Sequence, residues 1–151
     1  MDKIYITKNS KKTQELGLKF ARKILNLPKN KSAVVLGLTG NLGSGKTTFL
    51  QGFAKGLGVK EKILSPTFVI MKRFKNFYHI DCYRLKNYKD ILALFSAQGE
   101  PASGWKSIIK NSENIVAIEW SEKIKAILPK DAILIKFKFI DENKREINLK
   151  I

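Results

Sequence analysis

The sequence is poor in the residues that cross-link chains, bind metals or anchor a protein in a membrane. Its 151 residues include one cysteine, one histidine and four prolines. The lone cysteine, Cys82, excludes an internal disulfide and most zinc sites. No apolar run approaches the ~20 residues of a membrane-spanning helix, and Met1–Thr7 lacks the apolar region of a signal peptide. We therefore expect a cytoplasmic protein without a membrane segment.

Acidic residues are also scarce, with 13 of them against 29 lysines and arginines, which gives a net charge of +16. Such an excess suggests a nucleic-acid partner. Only four of the basic residues are arginines, however, and arginine is the side chain that makes forked contacts with phosphates and bases. A general lysine bias and a true polyanion surface both remain open.

What the chain does contain is a globular composition and one strong motif. Its hydrophobic content of 44% and its length predict a single domain over residues 1–151. The segment Gly40–Thr48, with sequence GNLGSGKTT, fits the phosphate-binding pattern G-x-x-x-x-G-K-[ST]. The apolar run Ala33–Thr39 before it predicts a buried strand, and the segment from Thr47 to Lys55 has helical spacing. The context supports a P-loop that binds a nucleoside triphosphate.

The motif also assigns chemistry to individual residues. Its glycines allow successive backbone N–H groups to face phosphate oxygens at the start of a helix. Lys46 would reach the β- and γ-phosphates, and the Thr47 hydroxyl would bind Mg²⁺. The residues predicted to contact ATP or ADP are Asn41, Leu42, Gly43, Ser44, Gly45, Lys46, Thr47 and Thr48.

Elsewhere the pattern alternates between strands and helices, which predicts an α/β fold with a mostly parallel central sheet, flanking helices and antiparallel hairpins. The elements expected outside the P-loop are a strand at Lys3–Thr7, a helix at Lys11–Leu27, strands at Phe68–Phe74 and Phe77–Cys82, helical material from Lys86 to Ile109 with a break near Ser96–Gly104, a strand at Asn114–Trp120, a short helix at Glu122–Leu128, and a C-terminal hairpin that begins at Ala132.

Two of the predicted strands end in an acid. Asp81 lies where P-loop proteins keep a carboxylate for the metal or its water, and Glu119 ends the second apolar run. Either could hold Mg²⁺ or orient water, while Glu119 could also be a simple exposed side chain at a strand end. We interpret His79 as a structural partner and Cys82 as a small core residue.

A third candidate is Thr67, in the segment Ser65-Pro66-Thr67 before a predicted strand. Its hydroxyl could sense the γ-phosphate or the metal as part of a switch-like loop. The same three residues could equally be a turn that starts the strand.

Taken in order, these motifs resemble the TsaE (YjeE) family of small bacterial ATPases that serve threonylcarbamoyladenosine formation in tRNA. The resemblance runs from Thr13 to about Ile140, and its markers are the P-loop, Ser65–Thr67, the segment HIDCYRL at 79–85, and the segment IEWSE at 118–122. It implies ATP or ADP with Mg²⁺, Thr47 and Glu119 at the metal, Asp81 at the Walker B position, and Thr67 in a switch loop. It also implies weak hydrolysis alone, TsaB and TsaD as partners, and tRNA reached directly or through them.

Two segments depart from the family pattern. Lys86–Asp90 replaces a helix start that is usually acidic, and the stretch from Leu92 to Gly104 is longer than usual. The motifs leave two other functions open: a small-molecule kinase, for which four arginines are few, and a basic nucleic-acid-binding module with structural ATP.

Overall fold

The protein is described from a computed structural model that covers residues 2–65, 71–97 and 104–150. Strands and helices alternate along these residues as an α/β chain should. The elements are β1 (Asp2–Thr7), α1 (Ser10–Leu25), β2 (Val34–Thr39), α2 (Lys46–Gly56), β3 (Met71–Phe74), β4 (Phe77–Asp81), α3 (Tyr88–Ala97), α4 (Gly104–Lys110), β5 (Ile115–Glu119), a 3₁₀ helix (Ser121–Ile127), β6 (Ile133–Phe139) and β7 (Arg145–Lys150).

The strands form one mixed sheet in the order β1-β7-β6-β2-β5-β4-β3. Strands β4 and β5 are parallel and in register, whereas β3–β4, β6–β7 and β1–β7 are antiparallel. Parallel strands buried on both faces and hairpins at the margins are typical of α/β domains. The predicted fold class is therefore confirmed.

Contacts along the chain divide it into two compact units. The first unit consists of residues 2–28, 38–65 and 134–150, and the second consists of residues 29–37, 71–97 and 104–133. Strand β2 contributes residues to both. The P-loop belongs to the first unit, and both candidate acids belong to the second.

The first unit is built on the contact between α1 and α2. The side chain of Asn9 accepts a hydrogen bond from the backbone N–H of Lys12, which caps α1 as its sequence predicts. Rings of Phe20, Phe49 and Phe53 lie 6.2 to 6.3 Å apart, and Phe137 meets Phe49 edge-on at 5.5 Å. Burial of these aromatic rings supplies much of the apolar stabilisation of the unit and anchors the helix that follows the P-loop.

The second unit has its own core, in which β4 and β5 are buried along their whole length. Its core side chains include Val35, Tyr78, Ile91, Trp105 and Ile118. Lys75 adopts a left-handed conformation, with φ 55°, in the tight turn that joins β3 to β4. The strands on either side of Lys75-Asn76 pair antiparallel and form a hairpin.

Most predicted boundaries agree with the observed ones to within two residues. Helix α1 ends at Leu25 and not at Leu27, because the chain must leave the helix before Pro28. The helix expected at Glu122–Leu128 is a 3₁₀ helix with non-helical dihedral angles at Ile124. In the part of the chain that the structure describes, every helix is too short or too polar to cross a membrane.

Candidate functional site

The P-loop connects β2 to α2, as the motif requires. Gly45 has φ +100° and stands directly before the first residue of α2, so an ordinary side chain would be strained there. Within the described residues, no side chain caps the start of α2, and its first turn holds no acid. The backbone N–H groups and the positive end of the helix dipole therefore suit an anion such as phosphate.

Lys46 lies folded against the loop that precedes it. Its Nζ donates to the carbonyl oxygens of Gly40 at 2.5 Å and Asn41 at 3.0 Å, and lies 3.4 Å from the Ser44 hydroxyl. The side chain is 5% exposed. Buried charges need such partners, and a phosphate oxygen could replace the carbonyls as the partner of this ammonium.

A residue that the sequence analysis missed also contacts the loop. Arg145, the first residue of β7, donates from Nε to the carbonyl oxygen of Gly43 at 3.0 Å. Its aliphatic stem flanks Gly45, because a Cβ built on that glycine would lie 3.5 Å from the Cγ of Arg145. No local motif signals this contact, since 102 residues separate Arg145 from Gly43.

In the second unit, the two candidate acids end neighbouring parallel strands. Asp81 of β4 is the register partner of Glu119 of β5, so both side chains lie on one face of the sheet. The backbone N–H of Cys82 donates to the carbonyl of Glu119 at 3.0 Å, which ties the two strand ends together. The structure thus places side by side the two carboxylates that the sequence offered as alternatives.

Glu119 is paired with His79 in the interior of this unit. The Nε2 of His79 and the Oε2 of Glu119 are 2.7 Å apart, and both side chains are at most 3% exposed. His79 lies two residues before Asp81 and hence on the same face, opposite the small side chain of Ala117. The interpretation of His79 as a structural partner is confirmed, and the alternative of an exposed Glu119 is wrong.

Asp81 is buried as well, and its Oδ1 accepts a hydrogen bond from the backbone N–H of Tyr83 at 2.9 Å. Beyond the strand ends, the rings of Tyr83 and Trp120 lie 5.1 Å apart. Trp120 has φ 57°, a left-handed conformation that bulky residues rarely adopt. The aromatic pair thus follows directly after the ends of β4 and β5, close in the chain to Asp81 and Glu119.

Cys82 is a core residue, as the sequence analysis expected. Its side chain is fully buried, and this burial, with a smaller contribution from the neighbouring Asp81 charge, raises the pKa of the thiol to about 12. A thiol with so high a pKa is neither a nucleophile nor a metal ligand near neutral pH.

The structure does not describe every residue of the predicted site. Thr67 falls outside the described residues. Within the ranges 2–65, 71–97 and 104–150, no three histidine, cysteine, aspartate or glutamate side chains cluster as a metal cage. A magnesium ion needs no such cage, because it usually keeps several waters and uses one or two carboxylates with the phosphates of its nucleotide.

Comparison with known proteins gives a consistent picture. A family model described as threonylcarbamoyl adenosine biosynthesis protein TsaE matches residues 7–147. The chain is 36% identical over 120 residues to the tRNA threonylcarbamoyladenosine biosynthesis protein TsaE of Bacillus subtilis, covering 75% of this chain and 66% of that protein. It is 37% identical over 145 residues to the protein of the same name from Rickettsia prowazekii, covering 92% and 89%.

A solved structure is similar over almost the whole chain. It is a crystal structure of Bacillus subtilis YdiB, with a TM-score of 0.73 and 27% identity, and the match covers 99% of this chain and 84% of that one. The family match spans the P-loop, both candidate acids and the C-terminal hairpin that carries Arg145. The chain belongs to the TsaE family of threonylcarbamoyl adenosine biosynthesis proteins.

Proposed function

We propose that this protein binds ATP with Mg²⁺, hydrolyses it slowly by itself, and acts as an accessory factor for the complex that makes threonylcarbamoyladenosine in tRNA. The observation that carries the proposal is the P-loop, whose folded lysine and uncapped helix start suit a polyphosphate. Family membership favours the pathway. The partners we propose are TsaB and TsaD, with tRNA contacted directly or through them.

The residues of the loop would bind and orient the triphosphate. Backbone N–H groups of the loop and of the first turn of α2 would hold its oxygens, and Lys46 would exchange the carbonyls of Gly40 and Asn41 for the β- and γ-phosphates. In that position the ammonium group stabilises negative charge as it develops on the γ-phosphoryl oxygens. Thr47 would offer its hydroxyl to Mg²⁺, and Thr48 would contact the bound nucleotide.

The two acids would have separate roles, one at the metal and one at the attacking water. Thr47 and Glu119 would hold Mg²⁺, which when bound would supply positive charge against the phosphate oxygens. We assign Glu119 to the metal shell, because its pairing with His79 fixes the carboxylate in a single orientation. We assign Asp81 to the water that attacks the γ-phosphate, and we keep Thr67 as the hydroxyl of a switch-like loop that senses the γ-phosphate or its metal.

A pair of lysine variants tests the proposal. Lys46→Ala should weaken ATP binding by at least about a hundredfold, because it removes the charge that faces the β- and γ-phosphates. Lys55→Ala, an exposed position on the same helix, is the matched control and should bind normally. Titration calorimetry with ATP and Mg²⁺ measures both, and circular dichroism checks the fold.

Hydrolysis should then be measured on the wild type alone and with TsaB, TsaD and tRNA. We expect slow turnover alone and faster turnover with the partners. Equal ATP affinity of folded Lys46→Ala and Lys55→Ala proteins would reject the nucleotide site. Normal ATP binding without any hydrolysis under either condition would reject the ATPase activity alone.

A further inference from the structure

Arg145 uses its guanidinium group on the protein backbone. Its Nε donates to the carbonyl of Gly43, and one terminal nitrogen donates to the carbonyls of Asp141 at 2.6 Å and Lys144 at 2.9 Å. The group also lies 4.6 Å from the ring centre of Phe139. A single side chain therefore links the P-loop to the turn between β6 and β7.

The turn between β6 and β7 is stabilised by hydrogen bonds of its own. The Oδ1 of Asp141 accepts hydrogen bonds from the backbone N–H groups of Asn143 at 2.9 Å and Lys144 at 2.8 Å. These bonds fix the carbonyls that Arg145 uses as acceptors. The planar fork of an arginine, stacked on an aromatic ring, loses little further freedom when it makes such contacts.

On the loop side, the contact reaches Lys46 through two more hydrogen bonds. The peptide that joins Gly43 to Ser44 is held at both ends, because its oxygen accepts from Arg145 and its N–H donates to the carbonyl of Asn41 at 3.1 Å. That same carbonyl of Asn41 accepts from the Nζ of Lys46. The clamp thus orients the peptide plane next to the acceptor that positions the lysine.

We propose that Arg145 is a positioning residue for nucleotide binding, which holds the phosphate-binding loop in its binding conformation from the outside. This inference rests on the proposed ATP site. Without the clamp, the peptide between Gly43 and Ser44 keeps only its hydrogen bond to the carbonyl of Asn41, and more of the loop must be ordered whenever a phosphate binds. The C-terminal hairpin is thereby part of the nucleotide site, although it carries no P-loop residue.

The chain supplies a closely matched control in the other hairpin. Arg73 of β3 also donates from Nε to a turn carbonyl, that of Lys75 at 2.7 Å, and its guanidinium lies 5.2 Å from the ring centre of Tyr78. The two arginines share their chemistry and their hairpin setting, and each lies over an aromatic ring. Arg145 donates to two turn carbonyls where Arg73 donates to one, and Arg145 also contacts Gly43 of the P-loop.

The experiment compares Arg145→Lys, Arg145→Gln and Arg73→Lys with the wild type by two measurements. Calorimetry with ATP and Mg²⁺ gives affinity, and amide hydrogen exchange of the nucleotide-free protein reports on the Ser44 N–H. We expect both Arg145 variants to lose affinity by about tenfold, the size of one charge-assisted hydrogen bond. Faster exchange at Ser44 should accompany the loss, while Arg73→Lys should change neither value.

Thermal unfolding separates positioning from general stability. Similar small shifts of Tm in Arg145→Lys and Arg73→Lys, with loss of affinity only in the former, would support the proposal. Unchanged affinity and unchanged Ser44 exchange in both Arg145 variants would overturn it. If the wild type itself bound no ATP, the proposed function would fail and this role of Arg145 with it, whatever the exchange data showed for the loop.

Discussion

The P-loop of the first unit and the strand-end acids of the second compensate a buried ionisable side chain in different ways. Each holds a nearly buried charged group, Lys46 in one case and Glu119 in the other. Lys46 is compensated by carbonyls five and six residues away in the chain, whereas Glu119 is compensated by His79, 40 residues away. One site is therefore a property of a short segment, and the other exists only once two strands are in register.

The largest loss of stability that we expect comes from a substitution in α2, the helix that follows the P-loop, at a residue outside the candidate site. Gly52 lies where α2 meets α1, and a Cβ there would be 1.9 Å from the carbonyl oxygen of Gln14. Backbone cannot yield as a flexible side chain can, so Gly52→Ala should destabilise the protein by about 3 kcal/mol or more, although alanine favours helices. Urea denaturation measures this.

Gly43→Ala serves as the comparison for that variant. A Cβ at Gly43 meets no atom within 4 Å, but its φ of +74° disfavours any side chain. The expected cost is about 1 to 2 kcal/mol, from the backbone alone. If Gly52→Ala proved less destabilising than Gly43→Ala, the close contact between α1 and α2 would not be a main source of the stability of the first unit.

The second unit should be most sensitive at its buried pair. His79→Ala leaves the carboxylate of Glu119 buried without this partner, and breaking a buried pair from one side typically costs about 3 kcal/mol. His79→Gln can still donate a hydrogen bond and should cost less. Urea denaturation of both variants measures the difference, and equal stability of His79→Ala and wild type would show that the pair contributes nothing.

These residues also show what a sequence can reveal. The P-loop was predictable because its glycines and its lysine belong to one short segment and interact within it, and the buried strands were predictable from continuous apolar runs. The position of Asp81 and Glu119 at strand ends was equally visible. The pairing of Glu119 with His79 and the clamp by Arg145 were not, because both depend on strand register and on contacts across 40 and 102 residues.

The comparison between the two acids is sharpened by a pair of neutral isosteres. A metal ligand replaced in this way should weaken Mg²⁺-dependent binding itself, whereas a residue that positions attacking water should spare binding and lower turnover. We expect Glu119→Gln to raise the Mg²⁺ concentration needed for ATP binding by about tenfold. Asp81→Asn should mainly lower partner-stimulated hydrolysis.

Magnesium titrations at fixed ATP decide between these assignments. If Asp81→Asn shifts the magnesium midpoint and Glu119→Gln does not, then Asp81 is the metal ligand and Glu119 positions the attacking water. Because Glu119 contacts His79, the stability of Glu119→Gln must be measured beside its affinity. An unchanged magnesium midpoint in a stably folded Glu119→Gln protein would reject Glu119 as the metal ligand.

The smallest effect on stability at neutral pH is that of the Cys82 thiol. This residue follows Asp81 and lies in the core of the second unit. Its pKa of about 12 lies above the 9.0 of an unperturbed thiol, so the folded state favours the protonated form. The stability that this group contributes is complete below pH 9 and is lost as the pH rises from 9 towards 12, where only the unfolded chain ionises. At pH 8 the folded thiol should react with a disulfide reagent at least about a hundredfold more slowly than the thiol of the urea-unfolded chain. Equal rates would mean that solvent and reagent reach the core of the second unit at the position next to Asp81, against the full burial of Cys82.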